Sequence, residues 1–140
     1  MFTPTEEKKI VKAIQKAEAN TSGELRVHIT QQEVEDSFLH AQEIFTQLNM
    51  HETQLRNAVL IHISLKSRNF TLLGDVGIHQ KVGSEFWEKT KEKMMTCFNQ
   101  RAIVEGICIG IDEIGKVLHQ HFPVDGSVNT NELSDEITYD

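Results

Sequence analysis

The stretch RNAVLIHISLKSRNFTLLGDVGIHQKVG, residues 56–83, decides the fold. Residues 58–65, AVLIHISL, are apolar with little alternation, the pattern of a strand covered on both faces. Residues 66–69, KSRN, form a short polar turn, and residues 70–73, FTLL, read as a second strand. A four-residue connection returns the chain antiparallel. Gly74 and Asp75 end that second strand, and in a hairpin its end lies beside the start of the first, at Arg56 and Asn57. Strand pairing alone therefore brings an acid, a base and an amide to one edge of the sheet.

Upstream, residues 24–29, ELRVHI, alternate strictly. Leu25, Val27 and Ile29 share one face, and Glu24, Arg26 and His28 share the other. The polar side reads either as a solvated face or as the wall of a groove. Asp36 or Ser37 caps a helix whose apolar face is Phe38, Ala41, Phe45 and Leu48, with Ile44 beside it. That helix joins two strands, and a crossover between parallel neighbours is right-handed. Parallel pairing sets both strand starts at the same edge, so Glu24, Asn57 and Asp75 are expected on one rim. Further upstream, Thr3, Pro4 and Glu6 form a helix start with a capping box, followed by the apolar face Ile10, Val11, Ile14 and Ala17.

Downstream of Asp75, residues 76–83 read as one Gly-bounded helical turn, and Ser84 caps the next helix, with apolar positions Trp87, Met94, Cys97 and Phe98. A last helix runs from about residue 102 to 122 and buries Ile103, Ile107, Ile111, Ile114 and Leu118. Gly106 and Gly110 within it cost helix propensity, which close approach to the sheet or a neighbouring helix would return. Pro123 stops it. Residues 1–123 are thus expected as a single domain, and 124–140 as an acidic tail, flexible or loosely docked.

The net charge of −7 is unevenly placed: no Lys or Arg follows Lys116, while Asp125, Glu132, Asp135, Glu136 and Asp140 do. Neither body nor tail offers the basic stripe that a phosphate backbone needs, so nucleic acid is not expected as a partner. No apolar run approaches the ~20 residues of a membrane span. The N-terminus lacks an h-region, which makes the cytoplasm the expected location, without membrane insertion. Cys97 and Cys108 form no CxxC or His/Cys zinc spacing and are expected as free core thiols.

Five segments resemble the TPM domain family in its order: TSGELRVHI, RNAVLIHISL, LGDVGIHQKVGSEFW, VEGICIGIDEIG and NELSDEI. The chain looks like the family's short bacterial form. The resemblance implies an α/β fold, a three-layer α/β/α sandwich that is Rossmann-like with a small mixed β-sheet. It also implies divalent metal binding, often calcium, and the acid phosphatase activity proposed for the plant member.

The corners at Glu24 and Asp75 match the family's acidic site. Two carboxylates on one rim repel unless a cation or a base sits between them. Hard divalent ions, calcium first and magnesium second, accept carboxylate and carbonyl oxygens. Glu24 and Asp75, with turn carbonyls, are therefore the candidate ligands; the alternative is that Arg56 pairs with them as a salt bridge. His79 is the one histidine expected near the site, and Glu132, Asp135 and Glu136 are possible further ligands if Leu133 and Ile137 anchor the tail as a helical turn. His28 and His62 lie on separate strands and could share a face; each histidine reads as core or surface. No nucleophile signature is present, so a phosphatase would depend on metal-bound water, with Asp75 and Arg56 as catalytic candidates. Three functions stand: a divalent-cation-binding protein with a binding or assembly role, a metal-dependent phosphomonoesterase, and a metal-independent module that docks a protein partner.

Overall fold

A computed structural model describes residues 2–124 and 136–140. The first helix, α1 (Pro4–Glu18), starts at the expected capping box: Thr3 accepts from the Glu6 amide while the Glu6 carboxylate accepts from the Thr3 amide. Strand β1 (Glu24–Thr30), helix α2 (Ser37–Gln47) and strand β2 (Ala58–Ser64) form the crossover unit. Strand β3 (Asn69–Gly74) completes the hairpin. Helices α3 (Val76–Asn99) and α4 (Ile103–His121) follow, and a two-residue strand, β4 (Thr138–Tyr139), comes last.

The sheet order is β3-β2-β1-β4, with β3 antiparallel to β2 and the other pairs parallel. One face carries Leu25, Val27, Ile29, Val59, Ile61 and Ile63 against α1, α3 and α4. The other carries Ala58 and Leu60 against Ala41, Ile44 and Phe45 of α2, together with the fully buried Met50. The chain is an α/β/α sandwich around a small mixed sheet, as the resemblance implies.

Three local features refine the sequence reading. Helix α3 is interrupted at Gly83 (φ 74°, ψ 174°), so the expected short turn and the expected helix after Ser84 are two parts of one element. Gly106 and Gly110 sit where a Cβ would meet Phe98 and Met94, which explains their place in α4: they let α3 come close. Phe38, expected on the buried face of α2, is instead half exposed, because the helix turns Ala41, Ile44 and Phe45 to the sheet.

The polar side of β1 is not solvated. Glu24, Arg26 and His28 are all buried; at the far end of this row His40 of α2 lies against the His28 ring and segment 136–140 pairs with β1. That segment docks on the sheet: Ile137 joins the core, and the Asp140 amide donates to the Ile29 carbonyl while the Gln31 amide donates to the Asp140 carbonyl. The suggested helical turn from Leu133 falls on residues outside those described. Among the described residues, no helix is long and apolar enough to cross a membrane.

Candidate functional site

The predicted rim forms. Glu24 pairs with Ala58 across the parallel strands, and the Asp75 amide donates to the Ala58 carbonyl at 2.9 Å, so β2 separates the two acids at one level of the sheet. The Glu24 amide donates to the Asn57 carbonyl at 3.4 Å. Glu24, Asn57 and Asp75 are all buried.

Asp75 has two structural duties. As the N-cap of α3 it accepts from the Val76 amide at 2.8 Å. Its carboxylate also meets Arg56 as a fork, Nε to Oδ2 at 2.6 Å and Nη2 to Oδ1 at 2.7 Å. Such paired charge-assisted bonds are the strong kind. They hold the Arg56 guanidinium above its usual range. Arg56 itself stands in the left-handed region (φ 53°) with its side chain half exposed. Of the two readings of this corner, the salt bridge to Asp75 is therefore present.

Asn57 is fully buried: its Nδ2 donates to Ser22 Oγ at 3.1 Å, and among the described residues its Oδ1 has no partner. A buried amide oxygen without a donor costs on the order of 1–3 kcal/mol, so its retention at this rim calls for a reason. Gly77 fixes the loop that carries Arg56: its amide donates to the Arg56 carbonyl at 2.8 Å, and a Cβ there would fall 2.0 Å from the Leu55 carbonyl oxygen.

His79 does not turn to the acids. Its Nδ1 accepts from Trp87 Nε1–H at 3.0 Å, beside a shallow groove lined by Leu72, Leu73 and Gly74. Glu132 and Asp135 lie outside the described residues; Glu136 is exposed just ahead of Ile137. Among the described residues, no group of three or more His, Cys, Asp or Glu side chains is arranged to hold a metal ion. The rim offers two carboxylates and an amide oxygen, an all-oxygen set of the kind that hard cations accept.

A second constellation lies on the α2 face of the sheet. His28 and His62 are register partners on β1 and β2, with rings stacked at 5.7 Å. His40 of α2 closes on them, its Nδ1 2.6 Å from His62 Nε2. Asp140 bridges the group: its carboxylate oxygens lie 3.0 Å from His28 Nε2 and 3.1 Å from His40 Nε2. Thr138 Oγ1 sits 2.6 Å from His28 Nδ1. Ser37 and Thr71 extend the polar chain beyond His62. Burial, then the neighbouring His40 and His28, push His62 down to about 4. Burial also lowers His28, against the pull of Asp140. Burial works against the Asp140 carboxylate, but the Thr30 hydroxyl, His28 and His40 outweigh it and hold the group below its usual range.

The shared face of His28 and His62 was legible in the sequence, since each stands fourth after its strand's first residue. His40 and Asp140 were not. His40 joins only through the docking of α2, and Asp140 only through a strand of two residues that carries no pattern of its own.

No curated protein matches the sequence. Among solved structures, the BA42 protein of the psychrophilic bacterium Bizionia argentinensis is similar over 100% of this chain and 96% of its own, with 36% identity and a TM-score of 0.92. The N-terminal domain of a P. gingivalis protein matches at TM-score 0.72 and 13% identity, covering 86% of this chain and 78% of its own. The N-terminal domain of a Corynebacterium glutamicum protein matches at 0.66 and 10%, covering 96% and 81%. These last two share the fold. The family model described as a TPM domain matches residues 1–117, which span β1, the hairpin and most of α4. A chain that carries this model over most of its length, and this sandwich throughout, belongs to the TPM domain family.

Proposed function

We propose that this TPM-domain chain binds a divalent cation, calcium in the first place, at the Glu24/Asp75 rim, and serves a binding or assembly role. The observation that carries the reading is Asn57 Oδ1, a fully buried oxygen with no donor among the described residues, on the same sheet rim as two buried carboxylates. A cation there would give the orphaned oxygen a partner and relieve the repulsion between Glu24 and Asp75. Arg56 now neutralises Asp75 from a half-exposed position. On this reading Arg56 is the counter-charge of the cation-free form, and it leaves the carboxylate when the ion enters. The ion's role is to supply charge and oxygen affinity; Glu24, Asp75 and Asn57 hold it, and Gly77 keeps the Arg56 loop in register.

Calcium titration of the full chain, read by calorimetry and amide shifts, tests this. Saturable binding is expected, with the amides of Gly23, Glu24 and Asp75 moving and the Arg56 Nε resonance shifting toward solvent. Asp75→Asn and Glu24→Gln should each weaken it at least about tenfold, the scale of a lost charged ligand. Binding that survives both substitutions, or absent binding at millimolar calcium, removes the site. Chelator-sensitive turnover of an aryl phosphate, lost in Asp75→Asn, would move the same rim to the phosphomonoesterase reading. Absent binding together with a captured partner would leave the docking module.

A further inference from the structure

We propose that the open edge of β3, with the groove beside it, is a docking site for an extended segment of a partner protein. The segment adds to the sheet as an antiparallel strand, with a basic residue at its start and an acidic one at its end.

The argument starts from the phase of the hairpin. The Asp75 amide donates to the Ala58 carbonyl, so Ala58, Leu60, His62 and Ser64 turn their backbone groups to β3. The residues between them turn to β1, and the flanking bonds agree: the Asn57 carbonyl accepts from Glu24, and the Leu65 amide donates to Thr30. On β3, Leu73, Thr71 and Asn69 therefore face β2. Phe70, Leu72 and Gly74 point N–H and C=O the other way, out of the sheet. β3 is the end strand, and among the described residues no hydrogen bond reaches those outward groups. Exposed edges are usually blunted by charge, proline or a bulge. The strand Asn69–Gly74 has no charged residue and no proline, and its pairing with β2 runs without a break.

The groove beside this edge has walls from both faces of the sheet. Phe38 of α2 and Leu73 stand on one face; Leu72, with Trp87 and Glu88 of α3, stands on the other. Phe38 is half exposed there. The Trp87 ring is held in place, since its Nε1–H donates to His79 and it packs on Gly74, where a Cβ would collide with it. A lone strand fits between these walls, its alternate side chains directed to Phe38 and to Trp87. A second copy of β3 does not: two-fold pairing edge to edge keeps like faces together, so it would bring its own α3 to the face where Trp87 and Glu88 already stand. Charge sets the direction. At the Phe70 end, Lys91 stands over the ring at 5.8 Å, and Arg68 is exposed in the turn before the strand. At the Gly74 end, Glu88 lines the groove, while Arg56 is neutralised by Asp75. An antiparallel segment runs from the Gly74 end to the Phe70 end, so a base first and an acid last complement both.

The probe is a short synthetic peptide of alternating valine and threonine, with lysine at its N-terminus and aspartate at its C-terminus. It is titrated into the isotope-labelled full chain with chelator present, so the outcome does not depend on a cation at the rim. The amides of Phe70, Leu72 and Gly74 are expected to shift saturably and to gain at least about tenfold in exchange protection, while those of Val27 and Ile61 stay as they were. Trp87 emission should change over the same titration. The same peptide with N-methyl groups on its β3-facing amides should lose binding, because it cannot complete the ladder. Exchanging its two charged ends should weaken binding about twofold to fivefold at low salt, the scale of exposed ion pairs. The double variant Glu88→Lys, Lys91→Glu, changed at exposed positions only, should reverse that preference. Unmoved amides at millimolar peptide overturn the site, as does equal binding of the N-methylated peptide. Indifference to the exchanged ends overturns the direction. Protection of the same three amides that grows with protein concentration alone assigns the edge to a second copy and overturns the partner segment.

Discussion

Gly77→Ala sets two effects against each other, and the structure says which wins. By helix propensity alone, replacing Gly near the start of α3 by Ala should stabilise by up to about 1 kcal/mol. The new Cβ, however, would lie 2.0 Å from the Leu55 carbonyl oxygen and 2.6 Å from that of Arg56. Both are backbone atoms, so relief cannot come from turning a side chain. It needs the loop and the helix start to part by an ångström or more. That movement breaks the Gly77 amide's bond to Arg56 and loosens the Arg56–Asp75 fork, because both partners stand on the parts that separate. Overpacking costs about 1–3 kcal/mol and the lost backbone bond about 1, against the propensity gain of up to about 1, so the balance falls near 1–3 kcal/mol of destabilisation. In a chain of this size that is a fall of roughly 3–10 °C in Tm. Urea melts followed by the single Trp are well placed to see it, since Trp87 packs on Gly74 two residues before the helix. The Arg56 Nε resonance should shift toward solvent as well. Gly83→Ala is the control: nothing lies within 4 Å of its Cβ, and its cost is the positive-φ backbone alone, about 1–3 kcal/mol. A Gly77→Ala protein as stable as the parent, with its guanidinium still paired, would refute the steric argument.

Two further outcomes follow from the same physics. Gly115→Ala should cost more than Gly110→Ala in denaturant melts, by about 1 kcal/mol or more: at Gly115 the obstacle includes the Ala17 backbone, at Gly110 it is the flexible Met94 side chain. Global stability should fall as pH drops from about 6.5 toward 4, because docked His62 takes its proton near 4 and the unfolded chain takes it near 6.5. The loss should be about 1–3 kcal/mol and should shrink in His62→Gln, as chemical melts at stepped pH would show.

The hairpin, the crossover and the rim could be read because each rests on local signals: an unalternating apolar run, a four-residue turn, an N-cap. Once β1 and β2 are parallel, pairing geometry places Glu24, Asn57 and Asp75 at one level without further information. The burial of the polar side of β1 could not be read that way. Glu24, Arg26 and His28 alternate like a solvated face, yet the fold buries all three. The direction of His79 was hidden for a similar reason. Four residues from Asp75 on a helix, it looks like a neighbour of the acid, yet Trp87 two turns later offers its N–H and takes the ring. Asp140 was weighed as one acid among several in a polar tail, because its role depends on contacts with His28 and His40, at least 100 residues away in sequence.

That separation has a consequence during synthesis. β1 acquires its second neighbour only when residues 138–139 have been made, about 110 residues after their partners at 28–29. At ribosomal rates of 5–20 residues per second, the outer edge of β1 stays open for roughly 5–20 s. An open strand edge invites pairing with another chain. The residues that wait there are Glu24, Arg26 and His28, and charged side chains directed to the inside of a sheet are one device that discourages such pairing. The same polar row, whose last member His28 later meets Asp140, thus guards the nascent chain against its neighbours on a polysome. Replacing Arg26 with an apolar residue would be felt first as inclusion bodies, before any change in the finished fold.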